Sequence, residues 1–353
     1  MPPSAPPSEV VVDKFGGSVL RRPEDIAEAV SVVERQRAAG LRPVVVVSAF
    51  EGVTETILGA ARVLLPDGGA GLLREPAQEA GSGLARETDR ALATGEALSA
   101  ALFALGLQAR GIPARSFSGA EAGIRTAAAH LGAEVRRVLS RPLRSALADG
   151  LVPVVAGFQG IGTHGELTTL GRGGTDLSAV ALAVALSADR CELFKDVGGV
   201  LEADPHLVPD ARFLPVVDAL QLELLAELGA EVVHPVAVRR ARRGRLNLVV
   251  RALDDGSPRT IVRAASREED GVLMLAVDRK ERVARISLVG PAALTPEVLP
   301  LPAHGEGAFD EGGMRVVWAE VPLASAASAA RAVHATFMAS AAGRRSEVER
   351  RPQ

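Results

Sequence analysis

From Glu9 to Phe15 the chain reads EVVVDKF, a β-branched apolar run that stops at Gly16-Gly17-Ser18. Pro23 then opens PEDIAEAVSVVERQRAAG, in which apolar positions recur every three or four residues until Gly40 ends the pattern. This sequence of strand, glycine turn and helix is followed by PVVVVSA, Pro43 to Ala49, a continuous apolar run of the kind buried on both faces of a parallel sheet. The same alternation continues. Helical periodicity is expected over Thr88–Gly111, with Gly106 weakening its end, and over Glu134–Gly150, Asp176–Ala188, Val217–Leu228 and Pro235–Arg243. Strands are expected over Ile112–Phe117, Leu151–Gly157, Cys191–Val197 and Leu246–Val250. The stretch FQGIGTHGELTTLG reads as a hairpin with Thr163-His164-Gly165 at its tip, whereas SAFEGVTET and residues 66–85 read as loops.

Repeated strand–helix alternation predicts an α/β fold: a three-layer αβα sandwich on a mostly parallel central sheet, with ligand loops at the strand C-termini. The pattern changes near Asp254. A turn-rich DDGSP joint is followed by short strands over Val272–Val277, Arg282–Val289 and Met314–Val321, a poor helix, PAALTPEVLP, and a helix over Leu323–Ser340. That region is expected to be a small α+β module. The expected division is a disordered leader (1–8), the large α/β domain (9–253), a linker (254–270), the small module (271–342) and a disordered charged tail (343–353).

The chain has 353 residues, 47% of them hydrophobic, enough for two cores, and a formal charge of −3 without a block of like charges. Neither a nucleic acid nor a membrane surface is therefore expected as partner, and a small molecule becomes the default ligand. MPPSAPPSE lacks the order of a signal peptide, and no apolar run reaches the roughly 18 residues of a span, so a cytoplasmic protein is expected. The single cysteine, Cys191, lies among apolar neighbours and reads as a buried strand residue. Six histidines show no paired metal-ligand spacing, so no protein-held metal is expected.

Two stretches carry chemistry. Lys14 stands at the end of the first strand directly before Gly16, Gly17 and Ser18, where backbone N–H groups, a following helix and an ammonium can cradle a phosphate. Taken alone, a Gly-Gly turn beside a lysine is as often structural as functional. LTTLGRGGTDLSAVALA repeats the logic: Gly171, Gly173 and Gly174 permit unusual dihedrals, Thr175 or Asp176 can cap a helix, and Arg172 offers a planar five-donor fork. A plain surface arginine would not need glycines on both sides. Glu96 in ATGEALSA would ordinarily be solvated, and Ser48 and Thr54 would ordinarily be loop hydroxyls.

These residues acquire a common meaning through a resemblance. KFGGSV, VVVSAFEGVT, GEALSA, FQG with TTLGRGGTDLSAVALA, DVGGVLEADP and LGAEVVHP occur in the order and approximate spacing of aspartate kinases, within the amino acid kinase family. The blocks cover nearly all of residues 9–252, and VARISLVG with MRVVWAEVPLASAASAARAVHATF resembles one reduced ACT-type unit. The resemblance implies the amino acid kinase fold, ATP with accompanying Mg²⁺, an amino-acid acceptor (aspartate in the family), and a homodimer. It implies that Lys14 reaches the transferred phosphoryl group and that Asp176 holds Lys14. Gly16, Gly17, Ser18, Gly173 and Gly174 would meet phosphate, Arg172 a substrate carboxylate and Glu96 the substrate ammonium. Ser48, Thr54 and Thr175 would surround the amino acid, and Asp196 would begin the nucleotide loop.

Departures collect on the nucleotide side. KFGGSV is one residue shorter than the family's KFGG(S/T)SV, and Lys195-Asp196 stands where the family carries threonine-aspartate. His206 replaces an arginine and Glu231 a lysine, both near the ATP phosphates in the family. Lys195 is expected to replace the missing charge from a different backbone position. Three functions stay open on sequence: an aspartate kinase, a kinase for another carboxylate or amino acid, and a weakly active regulatory homologue.

Overall fold

The computed structural model describes residues 9–65, 83–230, 232–254, 256–265, 273–291 and 305–348. By contacts the chain groups into two units, 1–198 with 240–259, and 199–239 with 260–353.

The first unit is built on parallel strands. Its elements are β1 (Val10–Phe15), α1 (Ile26–Ala38), β2 (Arg42–Val47), α2 (Val53–Leu64), α3 (Gly83–Ala109), β3 (Ala114–Phe117), β4 (Ile124–Thr126), β5 (Val135–Val138) and α4 (Arg141–Ala148). There follow β6 (Val152–Ala156), β7 (Gln159–Ile161), β8 (Leu167–Thr169), α5 (Gly174–Leu186) and β9 (Arg190–Phe194). After an excursion through the second unit (β10 Val200–Leu201, β11 Phe213–Leu214, β12 Val216–Asp218, α6 Ala219–Glu227) and α7 (Pro235–Arg243), the chain adds β13 (Leu248–Arg251). Neighbouring strands run in the order β13-β9-β1-β2-β6-β3, every pair parallel. The expected α/β fold with a mostly parallel sheet is what forms.

Strand alternation assigns the faces. Phe15 turns toward α1 and α3, where it stacks on Phe194 with centroids 4.6 Å apart and joins Val30, Val47, Phe103 and Val154 in one apolar cluster. Lys14 turns the opposite way, toward α5. That helix is apolar all round, and Ala179 to Ala183 are fully buried, as befits a helix sealed between the sheet and its neighbours. Cys191 is likewise buried, and desolvation pushes its thiol well above the usual range, so it is a packing residue.

Several expectations are corrected. Residues expected to form one helix over Glu134–Gly150 split into β5 and the shorter α4, because Val135 pairs with Thr126 of β4 in a small sheet ordered β5-β4-β7-β8. The apolar spacing of Val135 and Val138 suits a helix as well as a strand, and pairing decides. The helix expected from Val217 begins at Ala219 instead: Val216–Asp218 is β12, and the Asp218 carboxylate accepts the N–H groups of Leu220 and Gln221 as an N-cap. SAFEGVTET is only partly loop, since α2 starts at Val53. Hydroxyl-rich VTET hid the recurrence of Val53, Ile57, Ala61 and Leu64. The α3 helix, 27 residues, is long and apolar enough by composition to cross a membrane, although its scattered charges break up any continuous apolar run. Half of that window is buried inside the unit, where the helix packs on β3, β6 and α1.

The second unit holds β14 (Arg259–Arg263, whose first residue belongs to the first unit), β15 (Met274–Arg279), β16 (Val283–Pro291), β17 (Gly305–Glu311), β18 (Met314–Pro322) and α8 (Ala326–Val348). Antiparallel strands in the order β15-β16-β18-β17 carry α8, and β12 pairs in parallel with β14. β17 was not expected. Residues 199–239 group with this unit rather than with the rest of the expected 9–253 domain, and part of the reason is physical: Ala203, Leu207 and Val208 share a core with Ile286, Leu288, Val317, Val333 and Phe337. Glu202, also buried, accepts from Arg212 Nη2 at 2.9 Å and lies 2.8 Å from His334 Nε2 on α8. Helix α8 continues to Val348, into the stretch expected as a disordered tail. The expected leader, most of the expected loop at 66–85, residues 292–300 of the PAALTPEVLP helix and residues 255 and 266–270 of the expected linker lie outside the described residues. The rest of the expected linker is not simply a connection: Arg259–Arg263 forms β14, because its alternating Thr260 and Val262 are buried and it pairs with β12.

Candidate active site

A cleft of about 430 Å³ opens in the first unit at the C-terminal ends of β1, β2 and β9, the position where parallel sheets present ligands to their loops. It is lined by twelve of the residues anticipated from sequence: Lys14, Gly17, Ser18, Ser48, Thr54, Glu96, Arg172, Gly173, Gly174, Thr175, Asp176 and Lys195. Gly16 lies immediately behind. A Cβ there would come within 2.7 Å of Lys14 Nζ, so glycine leaves the ammonium its place. Its carbonyl accepts the N–H groups of Val19 and Leu20, closing the shortened KFGGSV turn into the next segment.

At one end of the cleft two lysines share one carboxylate. Lys14 Nζ is 2.6 Å from Asp176 Oδ1, and Lys195 Nζ is 3.2 Å from Asp176 Oδ2, with side-chain exposures of 7%, 18% and 6% for Lys14, Lys195 and Asp176. Burial alone would raise the Asp176 carboxyl, but the two ammonium groups outweigh it and hold it well below the usual carboxylate range. Lys195 is pulled below the usual lysine value by burial and by the charge of Lys14, with Asp176 opposing. Two cations against one anion leave an excess of one positive charge in a largely desolvated place. The N-terminus of α5 adds to it: Gly173, at φ 72°, occupies the cap position, no side chain caps the helix, and its first turn lines the cleft. Asp176 is thus the third residue of α5 and a partner of lysines, not the N-cap expected from sequence. An anion of more than one charge, such as a phosphoryl group, fits this end.

The other end is built for a zwitterion. Glu96 projects from α3 and is 4% exposed. Ala49 N–H donates to its Oε1 at 3.2 Å, while its Oε2 has no hydrogen-bond partner among the described residues. Burial pushes this carboxyl up to about 7. A buried carboxylate oxygen facing a cleft asks for a cation, and an ammonium would satisfy it. Arg172 is exposed on the Gly171–Gly174 loop at the cleft wall, where its fork can receive a carboxylate.

The raised Glu96 carboxyl has a sign that can be tested. Its contribution to stability is full below about 4.5, the unfolded value, and is lost as pH rises to the folded value of about 7. Glu96→Gln is therefore expected to raise the Tm of the ligand-free protein at pH 8 while leaving it nearly unchanged at pH 4.5; equal shifts at both pH values would contradict this.

Not every anticipated residue is brought here. Asp196 is exposed beside Lys195 and does not line the cleft. His206 is exposed in the second unit, its N–H bonded to Asp204 Oδ1 at 2.8 Å, and Glu231 lies outside the described residues. Sequence reasoning missed Phe158, which lines the cleft at φ 64° with its N–H donated to Ser178 Oγ, and the acidic pair Glu51 and Glu55 on the rim. Phe158 directly follows Gly157 at the end of β6, a place where only tertiary packing fixes the backbone. Among the described residues no cluster of three His, Cys, Asp or Glu side chains could hold a metal ion.

The cleft at the end of a parallel sheet thus combines a cationic end with an end formed by a buried carboxylate and an arginine. The model of the amino acid kinase family matches residues 9–252, and the chain belongs to that family. It is 39% identical over 282 residues to an aspartokinase of Thermus thermophilus, covering 80% of this chain and 65% of that protein. An aspartokinase 2 of Bacillus subtilis is 35% identical over 281 residues, again covering 80% and 65%. The chain thus spans just under two thirds of the length of these curated relatives. Among solved structures, E. coli aspartokinase III in complex with aspartate and ADP superposes with a TM-score of 0.75 at 20% identity, covering 94% of this chain and all of that one, a likeness of fold.

Proposed function

We propose that the chain is an aspartate kinase-type phosphotransferase that converts ATP and L-aspartate to 4-phospho-L-aspartate and ADP. The observation that carries the reading is the cleft itself: a buried carboxylate with an unpartnered oxygen and an arginine fork at one end, two lysines on one aspartate at the other. Relatives named aspartokinase at 35–39% identity support the choice of acceptor.

In this reading Glu96 takes the substrate ammonium and Arg172 its α-carboxylate, with Ser48, Thr54 and Thr175 around the amino acid. The β-carboxylate then points to the lysine end. Its oxygen attacks the γ-phosphorus in line, the bond from phosphorus to the β,γ-bridging oxygen breaks, and the electron pair leaves with ADP. No protein nucleophile is required, because such transfers depend on positioning and on charge stabilisation. Lys14 meets the phosphoryl oxygens as charge accumulates, and Asp176 fixes its ammonium. Gly16, Gly17, Ser18, Gly173 and Gly174 offer close backbone approach to phosphate, and Asp196 starts the nucleotide loop. Mg²⁺ would accompany the triphosphate and supply charge neutralisation there.

Lys195 supplies the cation that His206 and Glu231 no longer offer in this family position. Lys195→Ala is expected to weaken ATP binding about tenfold, the scale of one charge-assisted bond, without a comparable effect on the amino acid. An unchanged ATP affinity would remove Lys195 from the nucleotide site.

Residues 9–253 are proposed to carry the catalytic machinery and 271–342 to form one reduced ACT-like module, joined by a stretch that includes β14 rather than by a plain linker, with the protein acting as a cytoplasmic homodimer. The acceptor is tested by incubation with Mg-ATP and a panel of amino and hydroxy acids, trapping acyl phosphate as hydroxamate. Turnover of aspartate alone supports the proposal. Turnover of a different acid instead indicates a diverged carboxylate kinase, and absence of turnover a regulatory homologue.

A further inference from the structure

Outside the cleft, Asp89 on α3 is a heavily bonded buried acid of the first unit. It is fully buried and holds three groups from two other segments. The Thr169 hydroxyl and the Leu131 N–H, the latter at 3.1 Å, both donate to its Oδ1, and His130 Nδ1 lies 2.6 Å from its Oδ2. One turn earlier on α3, Arg86 Nε donates to Glu166 Oε1 at 3.0 Å, and the other oxygen of Glu166 faces His130 Nε2 at 3.6 Å. Nothing in the proposed reaction uses any of these side chains, yet all are tied to the segment that leads into the cleft.

Thr169 ends β8, three residues before Arg172. Its carbonyl accepts from Ala133 N–H at 2.8 Å, and the next residue, Leu170, donates its N–H to Phe158 at 2.9 Å. The loop opposite, residues 130–133, is held in turn: Leu131 sits at φ 59°, a conformation uncommon for leucine, with its N–H on Asp89. Gly132 Cα lies 3.3 Å from where a Cβ on Gly171 would stand, so this loop supports the underside of the arginine loop. Asp89 and Glu96 are seven residues apart, two helical turns, which places them on one face of α3 about 10.5 Å apart along its axis. One face of one rigid helix therefore anchors both walls of the amino-acid end: Glu96 through Ala49 N–H, and the Arg172 loop through Asp89 and Thr169.

We propose that Asp89 is a positioning residue for amino-acid recognition: acting through Thr169 and Leu131, it fixes the Arg172 loop at a set distance from Glu96, so that the carboxylate and ammonium of one substrate are gripped together. The inference rests on the zwitterion reading of the cleft, but the bracing of the loop does not depend on which acid is bound.

Thr169→Val removes the hydroxyl while keeping the side-chain shape and leaving Asp89 its bonds to Leu131 and His130; Thr169→Ser keeps the hydroxyl. Two readouts are taken on the full chain, amide hydrogen exchange over residues 169–174 and, separately, the Kd values for L-aspartate and for ATP. Thr169→Val is expected to speed exchange in that loop relative to β9 and to weaken aspartate by about tenfold, the scale of a hydrogen bond to a charged group, with ATP affinity unchanged and Thr169→Ser behaving as wild type. Unchanged loop exchange in Thr169→Val would overturn the proposal. So would an equal loss of ATP and aspartate affinity, which marks a merely structural residue. A wild-type protein that binds no amino acid would instead refute the functional reading, and loop exchange would still decide whether Asp89 braces residues 169–174.

Discussion

Lys14→Ala is expected to lower turnover by about a thousandfold or more, the scale on which a cation at the transferred phosphoryl group acts. Aspartate affinity is expected to stay within a few-fold of wild type, because Glu96 and Arg172 form the other end of the cleft. The variant should still fold. Asp176 keeps Lys195 at 3.2 Å, so removal of Lys14 does not strand a buried carboxylate. Lys195 cannot take over the chemistry by the same token, since it already occupies the second oxygen of Asp176 from the end of β9. Steady-state kcat and equilibrium aspartate binding separate the two effects, and a variant losing both equally would show that Lys14 acts on the whole fold.

Asp176→Ala is expected to be worse, because it removes the carboxylate bonded to both buried ammonium groups. Two largely buried cations would then stand side by side without the counter-charge that now bridges them. Breaking a buried pair in this way costs on the order of 3–5 kcal/mol, so a lowered Tm should accompany loss of activity. The linkage has a definite sign. The folded Asp176 carboxyl is held below its ordinary value, so its stabilisation is present above the unfolded pKa and is lost as pH falls through the folded one. The difference in Tm between wild type and Asp176→Ala should thus be full at pH 7 and shrink in acid. A difference independent of pH would mean that the aspartate contributes packing alone.

Much of this site was legible before any coordinates. Strand periodicity placed Lys14 at the end of β1, and the glycines around Arg172 marked a loop that needs φ values only glycine adopts readily, as Gly171 and Gly173 do at 71° and 72°. What the pattern could not carry was distance across the fold. Asp176 looked like an N-cap because Asp before an apolar run is a strong cap signal; its partnership with Lys14 and Lys195 depends on β1, β9 and α5 converging. Glu96 looked solvated because one acidic residue in an alanine-rich helix has no local partner, and only the approach of Ala49 after β2 makes it a buried ligand group. Asp89 was overlooked for the same reason, its partners lying 41 to 80 residues away. The split of residues 134–150 and the strand at Val216 failed differently: short apolar spacings satisfy both periods, and strand pairing with β4 and β14 selected one.

The central claim is that a single cleft presents an amino-acid carboxylate directly to a phosphoryl group held by Lys14. Oxygen transfer tests this most directly. L-Aspartate labelled with ¹⁸O in its β-carboxylate is incubated with the protein and Mg-ATP, the acyl phosphate is cleaved by hydroxylamine at carbon, and the released phosphate is weighed by mass spectrometry. One ¹⁸O atom in each phosphate released from the acyl product is the expected result. Phosphate free of label, formed at the same rate with and without aspartate, would mean that water rather than the amino acid receives the phosphoryl group, and would contradict the account.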